Sequence, residues 1–519
     1  MSHVKNEHPS PAGFRILDLF AGPGGLDVAA HVLGYRTTGI EWDAGACTTR
    51  NEAGMDTFKG DVRQYRAALF PLAQVLTGGP PCQTFTVAGH GAGRRALDKV
   101  LEYIELLHNA VCAENADWKE IFRTWRQISE KLRRKEIEAK EVKERKRDVE
   151  ELRGTVRKAM KDRMVQLAYP ADAIKDVLKG LKAPQRLEFQ DADLKGLLKE
   201  FSDLNDELVK LKAVLEELGD ERTGLVLQPL WWVIERSRRP GSTPYEAVVL
   251  EQVPAVMPVW NRYAEVLASL GYRTRTQMMH TEAFGVPQTR RRAVLMARHD
   301  PAAPLHELRP AQSLPTVDET HKRYQPRTSN IASAGFAALQ LEPSDTGRER
   351  PRHSWISMRA ALDSARVISE ARVHNRPPFT VISNYGTGGV PEARGRRDHD
   401  VPSATITGKV SRNRIVHMGT ETDLPDPLCR FAPAEAGVLQ TFPVAYPWSG
   451  NDVSQQIGNA VPPKLALHVL VRVLEPELSD EENEARLEKA TADLENWKPD
   501  KPVKYRVHGD WKGHPLTAR

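Results

Sequence analysis

The sequence predicts an α/β protein built on an open, mostly parallel sheet, and three stretches carry that expectation. FRILDLF (14–20) is a short strand pattern that runs into the glycine cluster AGPGGLD and then into the helix-like VAAHVLG. RTTGIEWD and FKGDV supply two more strands, with Glu41 and Asp61 at their ends. The apolar run AQVLT is a further strand, and it feeds a loop that opens Gly78-Gly79-Pro80-Pro81-Cys82. Strand, glycine-rich turn and helix together make a nucleotide-type binding turn, because glycines admit a ligand close to the backbone and a helix start offers free N–H groups.

Composition bounds the rest. At 519 residues the chain is long enough for more than one domain. Its 40% apolar and 28% charged content is that of a soluble protein, and a net charge of +5 permits a nucleic-acid partner without arguing for one. Four cysteines, Cys47, Cys82, Cys112 and Cys429, show no metal-ligand spacing, and their scatter fits a reducing compartment. The first dozen residues hold no apolar core, and no apolar run approaches the ~18–20 residues that cross a bilayer. A cytoplasmic protein without a metal site is expected.

Within the predicted sheet, Glu41 falls about twenty residues after the turn, where an acid commonly binds ribose hydroxyls. Trp42 beside it could stack on an adenine. The thiol of Cys82 follows two prolines, which fix φ and deny the chain backbone donors, so it stands in a loop at a strand's carboxyl end. A lone cysteine is often a small core residue. The Gly/Pro setting and the polar TFT that follows favour an exposed, reactive thiol.

Residues 115–219 are rich in Lys, Arg and Glu and read as helix. In the second arm Leu194, Leu197, Phe201, Leu204, Leu208, Leu211, Leu215 and Leu218 alternate spacings of three and four, a coiled-coil seam. The first arm has a looser seam: Ile121, Trp125, Ile128 and Leu132, then Val149, Leu152, Val156 and Met160. Pro170, Gly180 and Pro184 break the helix between them. Residues 117–168 hold 17 basic and 11 acidic side chains, and 188–219 hold 4 and 9. Opposite charge favours an antiparallel hairpin within the chain. A coiled coil with a second subunit or a partner protein is the competing reading, and a solvated spacer arm is the plainest one.

Beyond the insertion, EAVVLEQVPAVM places Glu251 at the end of a strand. In FGVPQTRRRAVLMA, strand alternation puts Arg290 and Arg292 on one face, suited to a carboxylate or an electron-rich base. From about 300 to 429 periodicity fades and Pro, Gly, Arg and His become common. The residues after 476 form a charged, peripheral tail.

GGPPCQTFTVAG resembles the catalytic loop of the DNA (cytosine-5) methyltransferases, and five further blocks recur in that family's order: the AGPGG turn, the Glu251 strand, QTRRR, RFAPAEAGVLQTFP and QIGNAVPPKLALHVLVRVL. The resemblance covers roughly 13–112 and 220–475. It implies a Rossmann-like sheet of the class I S-adenosylmethionine-dependent methyltransferases, with a smaller target-recognition domain and an α-helical coiled-coil insertion. The implied divisions are 13–114 and 220–299 for the catalytic domain, 115–219 for the insertion, 300–429 for target recognition and 430–475 for a closing segment. The cofactor implied is S-adenosylmethionine. Phe20, Gly22 and Gly24 would face its methionine part, Glu41 its ribose, and Trp42 and Asp61 its adenine. Asp18, Val62, Pro80, Asn459 and Val461 complete that set.

Cys82, Glu251, Arg290 and Arg292 would be catalytic, and Gln83, Thr86 and Gln288 would serve the DNA side. The chain departs from the family in its insertion and in Glu251-Gln252-Val253, where the family has Glu-Asn-Val with an amide that positions the Cys loop. The implied reaction is methyl transfer to cytosine C5 in a specific duplex DNA sequence, by a covalent Cys82–C6 adduct on a flipped base, in a restriction-modification or defence setting. Duplex DNA is the expected partner, with restriction or defence proteins and a protein contact at the hairpin as further ones, and no membrane. One rival is the family branch that methylates transfer RNA. Its Cys-Phe-Thr tripeptide is missing here, and the large 300–429 segment favours duplex DNA. Another is an inactive DNA-binding homologue, although the thiol, the acid and the cofactor glycines are all present.

Overall fold

The computed structural model describes residues 14–81, 92–113, 116–218, 221–300, 302, 314–325, 352–368, 376–383, 395–509 and 514. The chain divides into two compact units, 1–81 with 107–118 and 225–519, and 82–106 with 119–224.

The first unit is organised by strands β1 (Arg15–Leu19), β2 (Arg36–Glu41), β3 (Thr57–Lys59), β4 (Val75–Gly78), β5 (Ala247–Gln252), β6 (Tyr272–His280), β7 (Gln288–Thr289), β8 (Arg291–His299), β9 (Phe379–Ile382), β10 (Arg396–Asp398), β11 (Ser403–Ala404), β12 (Arg414–His417) and β13 (Arg506–Val507). Eight of them form one sheet in the order β13-β3-β2-β1-β4-β5-β8-β6. The run from β13 to β5 is parallel, and β8 lies antiparallel between β5 and β6. RILDL and AVVLEQ are nearly continuous apolar runs because parallel strands are covered on both faces.

Helix α1 (Gly25–Val32) returns the chain from β1 to β2. Helix α2 (Ala44–Glu52) returns it from β2 to β3, capped by Asp43, whose carboxylate accepts from Ala46 N at 2.7 Å. β2 pairs on one side of β1 and β4 on the other, so the connection reverses there. The crevice at the carboxyl ends of β1 and β4 is where an open α/β sheet takes its ligand.

The last residues do not form a peripheral tail. Ser479 caps the helix Asp480–Glu495 with a capping box, and Leu487, Ala490 and Leu494 on that helix, with Trp497 just beyond it, enter the main core beside Leu26, Leu467 and Leu470. β13 then joins the sheet, with Arg506 opposite Phe58. Three apolar residues at helical spacing were hidden by the acidic side chains around them.

In the 300–429 segment β9 lies between β10 and β12 in an antiparallel sheet, backed by the helix Met358–Ile368. Met358, Leu362, Phe379, Ile415 and Leu439 share its core. Arg376 and Glu435, both buried, are ion-paired beneath it, and Arg376 also donates to the Arg430 and Leu428 carbonyls at 2.6 and 2.9 Å. β11, from the PSATIT stretch, pairs with β7, Ser403 opposite Gln288.

The second unit contains a 49-residue helix, Trp118–Gln166, then a short helix Ala171–Gly180 and a long one, Ala192–Leu218. Arg145 meets Glu207 at 2.8 Å, Arg153 meets Asn205 at 3.0 Å and Arg163 meets Asp191 at 2.7 Å, so one number rises as the other falls and the long helices run antiparallel. Val156, Met160, Met164, Leu194 and Phe201 form the core between them. The seam of the first arm differs from the apolar pattern at one position: Leu152 is exposed, and Arg153 takes the inner place, its guanidinium 5.8 Å from the Phe201 ring centroid. The aliphatic stem of an arginine covers apolar surface while its head reaches a polar partner. Among the described residues no helix is long and apolar enough to cross a membrane.

Candidate active site

The turn after β1 is held in a backbone shape that few sequences adopt. Phe20 sits at φ 60°, a strained value for a non-glycine residue and one that clusters at ligand sites. Glycine is required at two places beyond it. A Cβ at Gly24, which has φ 104°, would collide with Met55 Sδ, and one at Gly25 would collide with the Val461 carbonyl oxygen. On the other side the turn is open, since a Cβ at Gly22 would meet nothing within 4 Å. The Tyr446 hydroxyl donates to the Pro23 carbonyl and fixes the turn from outside. Its only sequence signal is the aromatic cluster around Tyr446 and Trp448.

Glu41, at the end of β2, is tied to this turn. Its Oε2 accepts from Gly22 N and its Oε1 from Asp43 N, both at 2.7 Å. Burial raises its pKa against the opposing effect of those N–H groups. One lone pair on each oxygen is used, which leaves acceptor capacity for hydroxyl groups. Trp42 follows with 69% of its surface exposed, a bare indole face next to the acid. Asp61 caps the short turn Val62–Gln64, and its carboxylate is bridged by the Arg63 guanidinium. Val62 is buried beneath it.

Asp18 belongs elsewhere than among the ligand contacts expected of it. It is 2% exposed and accepts from Thr77 Oγ1 at 2.7 Å, which ties β1 to β4 from within the sheet. β1 ends at Leu19 and the chain turns at Phe20, so Asp18 stays within the sheet while Phe20 and Gly22 belong to the turn beyond it. Burial, then the charge of Asp27, raises its pKa well above the carboxylate range.

The stem of the thiol loop continues from β4. Gly79 N donates to Leu19 O at 3.3 Å, which joins it to the β1 turn. Cys82, Gln83 and Thr86 lie outside the described residues. Cys47 is buried, and burial pushes its thiol up to about 12, a value unsuited to a nucleophile.

Glu251 stands at the end of β5, beside this stem. Arg292 Nε is 2.5 Å from Glu251 Oε1, and both side chains are largely shielded from solvent. Glu251 Oε2 is on the side of the stem, 3.8 Å from where a Cβ of residue 79 would lie. The neighbouring Gln252, the longer amide, donates through Nε2 to the Pro80 carbonyl and accepts from Val253 N at 2.5 Å. Its extra methylene lets the side chain brace the loop stem while it also caps its own turn.

Two residues of the QTRRR block do other work than expected. Arg290 does not hold Glu251. The strand breaks at this residue, between β7 and β8, and its guanidinium donates to the carbonyls of Ile406 and Gly458, both at 2.9 Å, and of Ala460 at 3.3 Å. Burial, then the Arg292 charge, lowers its pKa. Gln288 cannot reach DNA, because it is fully buried. It donates to Leu439 O at 3.0 Å and Gln440 Oε1 at 2.6 Å, and accepts from Ile406 N at 3.0 Å. Both side chains sew the closing segment to the sheet. Asn459 is exposed and accepts from Gln455 at 2.8 Å, two residues before the Val461 carbonyl that packs on Gly25. Among the described residues no cluster of His, Cys, Asp and Glu has metal-binding geometry.

Comparison with known proteins gives the chain's family. The sequence matches the family described as C-5 cytosine-specific DNA methylase over residues 14–115 and 245–475, with the helical insertion falling in the gap. It is 32% identical over 112 residues to type II methyltransferase M.AquIA of Picosynechococcus sp., a match to 19% of this chain and 44% of that protein. It is 36% identical over 80 residues to type II methyltransferase M.AplI of Arthrospira platensis, covering 15% and 23%. It is 28% identical over 238 residues to type II methylase M.HgiDII of Herpetosiphon aurantiacus, covering 42% and 61%. The chain thus spans less than two thirds of each relative's length. By the extent of the family match, more than half of its residues, the chain belongs to the C-5 cytosine-specific DNA methylases.

Proposed function

We propose that this protein transfers a methyl group from S-adenosylmethionine to C5 of cytosine in duplex DNA, through a covalent bond between Cys82 and C6. Family membership makes S-adenosylmethionine the methyl donor, and the open face at Gly22, the spare acceptors of Glu41 and the bare ring of Trp42 fit it. When bound, the donor supplies an electrophilic methyl on sulfonium sulfur. The observation that carries the reading is the meeting of Glu251 with the stem of the thiol loop, through Gly79 and the Gln252 brace on Pro80.

Cytosine C5 becomes nucleophilic only when something adds to C6. The Cys82 thiolate makes that bond, since a deprotonated thiol is a strong nucleophile. The ring electrons displaced toward N3 are met by a proton from Glu251, a contribution of about 10²–10⁴ in rate. Arg292 orients this carboxyl through one oxygen and leaves the other for the base. Arg290 acts from behind, by holding 406–407 and 458–460 in place. After methyl transfer the C5 proton passes to solvent, the electrons of that bond form the C5–C6 double bond as the Cys82 thiolate is expelled, and the N3 proton returns to Glu251, which restores the aromatic ring. These atoms are out of reach in a stacked duplex, so the base must be flipped out. The names of the relatives support a type II modification setting, with a cognate nuclease as the further partner.

Bisulfite sequencing of DNA from cells that express the protein should reveal methylated cytosines in one sequence context. An oligonucleotide with 5-fluorocytosine in that context should then be trapped covalently when methyl donor is present. Cys82→Ala should abolish both trapping and tritium transfer and still bind the donor. Full turnover by that variant would defeat the nucleophile assignment.

A further inference from the structure

The long helix of the insertion carries a regular feature that the methylation chemistry does not use. Counting by sevens from Lys119 visits Arg126, Arg133, Lys140 and Arg147, passes Gly154, and reaches Lys161. All six basic side chains are exposed. The inward seam of the same helix runs through Ile121, Trp125, Ile128, Val149, Val156 and Met160, which occupy other positions of the repeat. The basic row therefore lies along the outer face, away from the partner helix.

At about 1.5 Å of rise per residue, successive charges stand about 10 Å apart and the row runs for roughly 60 Å. Neutralisation along it is incomplete. Arg126 pairs with Glu130 at 3.1 Å, and Arg147 is 3.9 Å from Asp148, both exposed pairs that screen little. Among the described residues Arg133, Lys140 and Lys161 make no ion pair. A chain-wide net charge of +5 hides this row, because acids elsewhere cancel it.

We propose that this row is a phosphate-binding ridge for duplex DNA, which lets the insertion hold the substrate's backbone without reading its sequence. The inference rests on the reading of duplex DNA as substrate. Its physical basis is charge complementarity: a straight line of cations spaced about three base pairs of rise apart meets a polyanion with phosphates every ~3.4 Å per strand, and each neutralised phosphate releases counterion. An acidic protein surface is the alternative occupant. A seven-residue repeat of lysine and arginine with no apolar residue in it lacks the knobs that a third helix would need, which favours DNA.

The test replaces Arg133, Lys140, Arg147 and Lys161 with alanine in the full chain. Alanine preserves helix propensity, and circular dichroism together with binding of S-adenosylmethionine checks that the fold is intact. Binding to a non-specific duplex of about 40 base pairs is followed between 50 and 200 mM salt. Loss of four phosphate contacts is expected to flatten the slope of log K against log salt by roughly 3 to 4, and to weaken binding at least tenfold at the lower salt. An unchanged slope and affinity would overturn the proposal. So would an unchanged slope accompanied by lost binding to polyglutamate, which would assign the row to an acidic protein. A wild-type protein that binds DNA through this row yet transfers no methyl group would refute the proposed reaction and leave the ridge standing.

Discussion

Two of the buried arginine–carboxylate pairs, Arg50–Asp27 between helices α2 and α1 and Arg292–Glu251 between strands β8 and β5, are built differently. In the cofactor half, Arg50 grips Asp27 with both terminal nitrogens at 2.7 and 2.9 Å, and its Nε donates to Thr57 Oγ1 at 2.9 Å. Both side chains are essentially inaccessible. Between β5 and β8, Arg292 touches Glu251 through one short contact, and the second carboxylate oxygen remains on the side of the Gly79 stem. The first pair is saturated, so it can only hold the fold together. Among the described residues the second leaves Glu251 Oε2 without a hydrogen bond, and a free oxygen is what the proposed reaction needs. A fully bonded ion pair suits architecture, and a half-bonded one beside a crevice suits the proposed chemistry.

Breaking each pair should separate the two roles. Glu251→Gln is expected to lower methyl transfer by about 10²–10⁴ and to cost less stability than Arg50→Ala, because the amide oxygen can still face Arg292 without supplying the proton. Single-turnover tritium transfer and urea unfolding of the same preparation would show the contrast. A variant that kept its rate would remove Glu251 from the mechanism. Arg50→Ala should do the reverse, with a loss of roughly 3–5 kcal/mol of stability, since it strands a buried carboxylate. If that variant unfolded like the wild type, the buried pair would be ornamental.

Gln252→Ala sharpens the comparison on the loop side. It removes the brace on Pro80 and should slow methyl transfer about tenfold, as expected for lost positioning, without weakening binding of the donor. Gln252→Asn should restore part of the rate if reach to Pro80 is what matters, and equal rates for the three proteins would exclude a bracing role.

Acid provides a gentler probe of the saturated pair. Burial raises the Asp27 pKa, but the charge and hydrogen bonds of Arg50 outweigh it, so the carboxyl titrates below its ordinary value. Its stabilising contribution is therefore complete above the unfolded value of about 3.9, and is lost as the pH falls through the lower folded value. Asp18 behaves oppositely. Its raised pKa contributes stability at low pH that is lost only as the pH rises through the folded value, so it adds nothing to acid lability. Asp27→Asn should flatten the acid limb of the unfolding curve below about pH 4, and an unchanged limb would point to other carboxylates.

Much of the site was legible because its signals are local. A glycine turn after a strand, an acid at the next strand end and a thiol after two prolines are each written in adjacent residues. That an arginine of QTRRR would meet Glu251 was legible too, but not which one: Arg292 makes the contact, whereas Arg290 was the first choice. Arg290 and Gln288 were misread for a nonlocal reason. Alternation along a strand says which face a side chain takes, not what covers that face. Here the cover comes from residues 403–407 and 439–460, more than a hundred positions downstream. Arg153 in the insertion and Leu487 in the last helix were hidden by charge, since a seam can pass through an arginine stem and an acidic stretch can still turn one apolar stripe inward.

The packing of Val461 on Gly25, together with the pairing of Arg506 beside Phe58, has a consequence for how the protein is made. The segments that meet in these contacts are encoded far apart in the message. A nascent polypeptide still on the ribosome has the glycine turn long before the segment that packs against it. Translation must pass residue 461 before the glycine turn has this packing partner, so the turn is completed late in synthesis.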